Sequence, residues 1–523
     1  MAKTAVVIPV SLLMMAGMVL LLVQSDRPQL RPSAAGVAEP AGGSSAELSL
    51  FCAASNRAVL EPIRERYERE TGHRVQIQYG ASQTLLSQLR VAGVADLFLP
   101  ADDSFLNIAR ESGLVVEVLP IARMRCGLVV RRGNPSGIRS VSDLLRDGVR
   151  LVQANPDSAA VGKLTREVLT KHGLWEATEA ATEGFRTTVN DVANDVEVGA
   201  ADAGFVYDVV LFGRSELEFV EIPELQGAVS QVSVGVTAGS RQPAAALHFA
   251  RYLSAEDRGL EEYRRQGFVV ERGDLWADVP ELSVYAGSML RPAIEETITA
   301  FEQREGVRVS RSYNGCGILV AQMKSGQHPD AYFACDMEFM KQVGDLFGPS
   351  TAVSQNELVI LVPKGNPRGI AGLQDLTQAD LRVGIGHEKQ CAMGWITQRT
   401  FAESGLTTKI MENVTVQTPT GDMLVNQLRT GSLDAAVAYL SNAAGAAEFL
   451  DAVQIQGIEC SVATQPWAVL RQSRYPQLAH RLFERISSAE SQEIFAAEGF
   501  RWQLSEGSEL TEPAAGAAVP AAP

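Results

Sequence analysis

The chain of 523 residues repeats itself once, and that repeat limits its architecture more than any other feature. Ser55 of Cys-Ala-Ala-Ser has its counterpart in Ser288 of Tyr-Ala-Gly-Ser, Tyr79 in Tyr313 and Asp96 in Asp330. Asn134 of Gly-Asn-Pro matches Asn366, Asp202 matches Asp434, Tyr207 matches Tyr439 and Gly267 matches Gly499. All seven pairs keep one order at offsets of 232 to 234 residues. Solenoid units repeat every ~20–50 residues, so a period this long corresponds to a whole domain. The sequence predicts two tandem domains, over 47–276 and 280–503, joined by the short segment 274–280.

Within the first copy, short Val/Leu/Ile/Phe runs at 48–53, 75–79, 97–99, 126–131, 150–153, 203–207 and 232–237 read as strands. Helical patterns at 58–71, 84–91, 103–112, 141–146, 162–172 and 244–253 fall between them. This alternation predicts a doubly wound α/β sheet, whose ligands sit beyond the carboxyl ends of the strands. The loops at Ser55, Ser82 and Ala101 all follow strands and should open onto one face. At Tyr79-Gly80-Ala81-Ser82-Gln83-Thr84 the pattern is strand, tight turn, helix. Such a turn aims the free N–H groups of a first helical turn, with one small hydroxyl, at whatever lies above the strand, and an anion suits that position.

With 46 Lys+Arg against 62 Asp+Glu, the net charge of −16 and the lack of a long basic run exclude a nucleic-acid partner. An anionic ligand would have to be held by local dipoles and neutral donors against the overall field. Residues 5–23 are almost wholly apolar, with Lys3 before them and Ser25-Asp26-Arg27-Pro28 after. The segment 1–25 reads as a signal peptide or a retained membrane anchor, and the length of the apolar run favours the anchor. The Ala/Pro/Gly/Ser-rich stretch 26–46 reads as a flexible linker and 504–523 as a disordered tail. The bulk of the chain is then expected outside the cytoplasm, tethered to the inner membrane. Six cysteines are too few for a disulfide scaffold.

Several of these pieces together carry a resemblance. Ala53-Ala54-Ser55, Gly80-Ala81-Ser82, Ala95-Asp96-Leu97-Phe98 running into Ala101-Asp102, and Asn155-Pro156-Asp157 before Gly162-Lys163 stand in order in the first half. Ala201-Asp202-Ala203-Gly204 leading to Val206-Tyr207, and Gln266-Gly267-Phe268, complete the set. Each half resembles a periplasmic solute-binding protein of the molybdate/tungstate type. The resemblance implies a type II periplasmic-binding fold, two doubly wound α/β lobes around a ligand cleft. It also implies extracytoplasmic capture of a small inorganic oxyanion, delivery to an ABC-type permease, no catalysis and no cofactor. Carried over by position, the oxyanion contacts fall on the hydroxyls of Ser55, Ser82 and Tyr207 and on the backbone near Ala101, Val161 and Val189. Neutral N–H and O–H donors replace the anion's lost water bonds without a cation, and donors on both lobes reward closure.

The second copy keeps Ser288 and Tyr439 but departs elsewhere. Cys316 stands where the first copy has Ser82, Cys335 where it has Ala101, and Met393 opposite Val161, with Cys391 two residues before it. Met289, Met337 and Met423 fall in neighbouring loops. Three readings are open for these sulfurs. They are small buried hydrophobes, or they form one disulfide among Cys316, Cys335 and Cys391 in an oxidising compartment. The third is a soft-metal or thiol site on those three cysteines with His387 or His328. Ser288, Cys316, Cys335, Met393 and Tyr439 remain the candidate ligand residues of this half. The second domain is expected to have diverged, and a membrane-tethered sensor or scavenger with a metal or thiol site there is the alternative to delivery. Cys391 with His387 also has the spacing of a nucleophile and base on one helical turn, without an identifiable third group.

Overall fold

A computed structural model describes residues 47–93 and 95–504. The expected leader or anchor (1–25), the linker (26–46) and the tail beyond Leu504 lie outside the described residues. No helix among the described residues is long and apolar enough to cross a membrane.

In the first half the strands are β1 (Leu48–Ala53), β2 (Val75–Gly80), β3 (Leu97–Leu99), β4 (Val115–Arg131), β5 (Leu151–Ala154), β6 (Thr182–Arg186), β7 (Ala203–Tyr207), β8 (Leu217–Val220), β9 (Val229–Thr237) and β10 (Val269–Val270). The order across the sheet is β2-β1-β3-β9-β4-β7-β5-β6, with β8 and β10 also on β4. Strands β1, β2 and β3 run parallel, as do β5, β6 and β7, so two parallel blocks form two lobes. The long strand β4 belongs to both: Val115–Arg125 pairs with β9 and Cys126–Arg131 with β7 and β8, all antiparallel. We call the β1 block lobe A and the β5 block lobe B.

The first seven residues of that shared strand alternate between buried and more exposed, but with Val116 exposed and Glu117 buried their residue types do not follow the alternation, which is why the sequence predicts only 126–131. Strands β6 and β8 were not predicted either. Thr182–Arg186 sits at a sheet edge with two of its five residues exposed and none fully buried, so it carries no apolar run.

Lobe A is packed by helices α1 (Arg57–Thr71), α2 (Ser82–Ala92) and α3 (Asp103–Glu111); lobe B carries α4 (Ala160–Lys171) and α5 (Val189–Glu197). Helix α6 (Pro243–Leu253) returns to lobe A against β9. The second half repeats the plan with strands β11 (Glu281–Gly287), β12 (Arg308–Asn314), β13 (Ala331–Phe333), β14 (Thr351–Pro363), β15 (Val383–Gly386), β16 (Val414–Thr418), β17 (Ala435–Tyr439), β18 (Leu450–Gln454), β19 (Val462–Val469) and β20 (Arg501–Trp502). Their order, β12-β11-β13-β19-β14-β17-β15-β16, is that of the first sheet. Its helices include α7 (Arg291–Glu305), α8 (Cys316–Lys324), α9 (Ala392–Ser404), α10 (Gly421–Arg429) and α11 (Pro476–Ile486). Each half has its own buried apolar core. The fold is two tandem type II periplasmic-binding domains of mixed α/β sheets, as the resemblance implies.

Many landmarks of the repeat do the same local work twice. Asn134 and Asn366 both take φ of 47°, and each side chain binds the backbone four residues on, at Ile138 and Ile370. Asp202 and Asp434 each grip an arginine that opens a lobe B strand, Arg150 and Arg382. Asp96 and Asp330 each accept the N–H of a first-strand residue, Ser49 or Ser283.

The halves meet through buried charge. Glu305 at the end of α7, 1 % exposed, accepts from Arg481 Nε at 2.7 Å and from Arg251 Nη1 of the first half at 3.2 Å. Arg251 also donates to the Glu305 carbonyl at 2.6 Å. Asp274, in the join, caps α11 by accepting the N–H of Gln477 (2.7 Å) and Leu478 (3.1 Å). Arg304 chelates Glu117 on β4 at 2.8 and 3.0 Å. Each of these charges is met by an opposite charge or by N–H donors, as a desolvated charge requires, while Arg251 Nε and Nη2 are buried without a hydrogen-bond partner.

Candidate functional site

Six chain segments end at one point between the lobes of the first half. From lobe A come the turn after β1 (Ala53–Ser55), the turn after β2 (Gly80–Ser82) and Ala101 after β3. From lobe B come the start of α4 (Ala159–Val161), the start of α5 (Thr188–Val189) and Tyr207 at the end of β7. They enclose a cavity of ≈ 20 Å³. Pockets for drug-sized organic ligands run to roughly 300–1,000 Å³, while one water needs at least ~10–15 Å³, so this space is sized for a water or a single small compact ligand and not for an organic molecule.

All six residues predicted as ligand contacts in this half, Ser55, Ser82, Ala101, Val161, Val189 and Tyr207, line that cavity. None of its lining residues is charged. Helices α2 and α4 begin after Ala81 and Ala159, whose extended backbones place them as N-caps but whose methyl groups cannot cap. Their first-turn N–H groups are therefore without side-chain acceptors where the two helices point into the cleft. Gly162 lets α4 sit this close, because a Cβ there would overlap the Ala154 carbonyl. Helix α5 is different: Thr188 and Asp191 form a capping box at its start, which engages the N–H groups of those two residues and leaves that of Val189 outside it.

The hydroxyls are poised as donors. Ser82, 2 % exposed, accepts the Ala101 N–H at 3.1 Å through Oγ. That bond occupies the predicted Ala101 donor in this form and turns the proton of Ser82 elsewhere. Ser55 Oγ accepts a long 3.4 Å bond from Asn56 Nδ2. Tyr207 is fully buried and its hydroxyl has no hydrogen-bond partner. The Ser230 hydroxyl beside it lies 2.7 Å from both Ala101 O and Asp102 Oδ2, which share its one proton as acceptors. Burial first, then the Asp102 carboxylate, push the Tyr207 phenol well above its usual range, so it keeps its proton. The Ser230 hydroxyl exerts a smaller opposing pull; it is close but forms no hydrogen bond of normal geometry with the phenol. A buried unpaired hydroxyl is destabilising by about 1–3 kcal/mol; Tyr263, Tyr332 and Tyr439 carry one too, and what distinguishes Tyr207 is that it lines this cavity.

The lobes are drawn together in this structure. Gln83 N–H donates to Ser158 O at 3.1 Å, and Asn190 Nδ2 to Ala54 O at 2.8 Å, each from one lobe to the other. Asn190 was not singled out from the sequence as functional; its only signal is its place at the start of a helix on the cleft.

The corresponding place in the second half is built differently. Cys316 and Cys335 are joined by a disulfide across the positions held in the first half by Ser82 and Ala101. Of the three readings of these sulfurs, the structure takes the disulfide. A sulfur bonded to another has no thiolate to offer a metal, and among the described residues no group of three or more His, Cys, Asp or Glu is gathered to hold one. The soft-metal expectation on Cys316, Cys335 and Cys391 is therefore corrected for this oxidised form. Cys391 is a buried free thiol, pushed up to about 11 by burial, and its Sγ lies against the carbonyls of His387 and Thr418. The His387 ring nitrogen instead accepts the Lys389 N–H at 3.2 Å, so the nucleophile and base pairing read from the spacing does not form. His328 lies on a surface trough with Asp330 and Arg474.

Gly287 replaces Ala54 beside the disulfide, where a methyl would overlap Cys335 Sγ and sit 3.2 Å from Cys316 Sγ. At the lips, Gly315 and Gly317 replace Ala81 and Gln83, and a Cβ on either would overlap the lobe B carbonyl of Gln390 or Lys389. The second cleft thus closes backbone against backbone. Met393 is buried, Ser288 is half-buried, and the buried Tyr439 hydroxyl is without a partner, as in the first half.

Both halves are similar in sequence to known proteins. The model of a family described as bacterial extracellular solute-binding protein matches residues 48–269 and again 282–501. The molybdate-binding protein ModA of Mycobacterium tuberculosis is 30 % identical over 221 residues, which are 41 % of this chain and 83 % of that protein. ModA of Escherichia coli is 24 % identical over 233 residues, 43 % of this chain and 90 % of that protein. Among solved structures, the periplasmic molybdate-binding protein of Azotobacter vinelandii aligns at 19 % identity over 43 % of this chain and all of that one, with a TM-score of 0.38.

Proposed function

We propose, from the premise that this chain belongs to the bacterial extracellular solute-binding protein family in both halves, that its first half is the receptor for a small tetrahedral oxyanion of the molybdate/tungstate class. The observation that carries this is the first cleft itself: a cavity of ≈ 20 Å³ with neutral donors from both lobes, among them a buried tyrosine hydroxyl that has no other partner. An anion there would receive the Ser55, Ser82 and Tyr207 hydroxyls and the first-turn N–H groups of α2 and α4 other than that of Gln83, which Ser158 O takes. Hydrogen bonds to an ionised acceptor are about twice as strong as neutral ones, so such a shell replaces hydration without a cation. Because the donors come from two lobes, bound anion favours the closed form.

The second half is read as a domain that has left this role. Its Ser82 equivalent is locked in a disulfide and its lips meet through glycine backbone, so the seat of the first half is not reproduced. Handing the anion to an ABC-type permease, and tethering through the apolar segment 5–23, complete the reading.

Isothermal titration of the whole chain with molybdate, tungstate and sulfate tests both parts. One anion bound per chain is expected. Two per chain would refute the divergence of the second half, and none with any of the three would refute the oxyanion assignment.

A further inference from the structure

The contacts that cross the first cleft differ in kind. Two are neutral, from Gln83 N–H and Asn190 Nδ2. The third carries charge: Lys163, on the first turn of α4 in lobe B, donates from Nζ to Ser104 Oγ of lobe A at 3.1 Å. Its ammonium also lies 5.1 Å from the centroid of the Phe105 ring, within cation–π range. The acceptor is held in place. Ser104 N–H donates to Asp102 Oδ1 at 2.9 Å, and the other Asp102 oxygen accepts from Ser230. These residues continue from Ala101, so the latch point is tied directly to a wall of the cavity.

The second half lacks this arrangement. Trp395 stands in place of Lys163 and Glu338 in place of Ser104, and Arg399 stacks on Trp395 at 4.7 Å. The backbone bond from Gly317 N–H to Gln390 O, equivalent to Gln83 to Ser158, is kept at 3.0 Å. A side-chain latch is therefore present in the half with an anion-sized seat and absent from the half whose seat is filled by sulfur.

We propose that Lys163 and Ser104 form the closure latch of the first cleft, with Lys163 a positioning residue that sets how long a bound anion is retained. The proposal rests on the reading of that cleft as an oxyanion seat. In the closed form the ammonium exchanges part of its water for Ser104 and the Phe105 face; in the open form it is rehydrated. That difference biases the lobe equilibrium toward closure with or without ligand. Lys163 is half-exposed, so the bias is modest and weakens with salt.

The test uses the full chain in a Cys460→Ser background, with spin labels on cysteines placed at the exposed positions Gln76 (lobe A) and Glu176 (lobe B). Interlobe distances without ligand are compared for the parent, Lys163→Met, Ser104→Ala, the double variant and Lys163→Arg, alongside stopped-flow release of molybdate. Lys163→Met and Ser104→Ala should each move the ligand-free population toward open and speed release roughly five- to tenfold, with the double variant no faster than either. Lys163→Arg should keep most of the closure, and melting temperatures should stay close to that of the parent. An unchanged distance distribution in Lys163→Met, or effects of the two single changes that simply add, would overturn the latch. If the parent binds none of molybdate, tungstate and sulfate, the oxyanion reading falls, while the ligand-free distances still decide the latch.

Discussion

Replacing Ser82 by Ala separates a ligand contact from a structural hydroxyl, because the structure assigns Ser82 both jobs. Its Oγ accepts the Ala101 N–H at 3.1 Å, and its proton is then directed away from that bond. Losing a donor to a bound anion is worth about 1.5–3 kcal/mol, the range for hydrogen bonds to charged groups. The substitution also frees the Ala101 N–H, which lines the same cavity and gives back part of that loss by turning to the anion. The net weakening should be about 1–2 kcal/mol, or roughly five- to thirtyfold in Kd at 1.4 kcal/mol per decade. In the ligand-free protein the same N–H is left buried and unpaired, which costs about 1–3 kcal/mol of stability. Calorimetry of molybdate binding and urea unfolding without ligand, on the same preparations, read the two effects separately. Lower stability with an unchanged Kd would show that Ser82 only holds Ala101, and the hydroxyl would leave the proposed anion shell.

Tyr207→Phe should do the reverse in the ligand-free protein: with no partner lost, stability stays level or rises by up to ~1 kcal/mol, while anion affinity falls by at least fivefold. Ellman titration should find two more thiols in the reduced, unfolded chain than in the unreduced, unfolded one, where Cys52, Cys126, Cys391 and Cys460 react; in the native protein only the part-exposed Cys460 should react readily. Six thiols without reductant would refute the Cys316–Cys335 bond. Glu305→Ala strands Arg251 and Arg481 in the interface and should cost about 3–5 kcal/mol, with the two halves then unfolding in separate calorimetric transitions. Burial raises Asp103 to about 7. The folded state therefore holds a proton that the unfolded chain releases near pH ~4, and stability drains away as pH rises from there to about 7. Asp103→Asn should stabilise the protein above pH ~7 and make no difference below pH ~4, as chemical unfolding across pH would show.

Much of the architecture could be read from the residues because the repeat is made of local devices. Asn134 and Asn366 in left-handed turns, and Asp202 and Asp434 on the arginines of neighbouring strands, serve the backbone near them. Such residues must reappear wherever the fold does, whatever it binds, so order and spacing alone revealed two copies of one α/β plan. Edge and crossing strands such as Thr182–Arg186 and the first part of Val115–Arg131 were not legible, since their stability comes from partners far along the chain and leaves no regular apolar pattern.

The site divides along the same line. The turn at Tyr79 to Thr84, its serine and the strand ends around it are set by sequence, because a small-residue turn between strand and helix dictates its own geometry. That Ser82 holds Ala101 and that Lys163 reaches Ser104 are distances between segments 19 and 59 residues apart, and that the Tyr207 hydroxyl is buried without a partner depends on what packs around it; only tertiary packing sets all three. The sulfurs of the second half show the boundary most clearly. Three cysteines in cleft loops were open to a metal, a disulfide or plain burial, since a bond between two of them depends on separations and directions that no linear spacing encodes. Tertiary structure brought Cys316 and Cys335 together above Gly287 and left Cys391 facing its own lobe, and that placement decided which half keeps the serine hydroxyl free on its cavity wall.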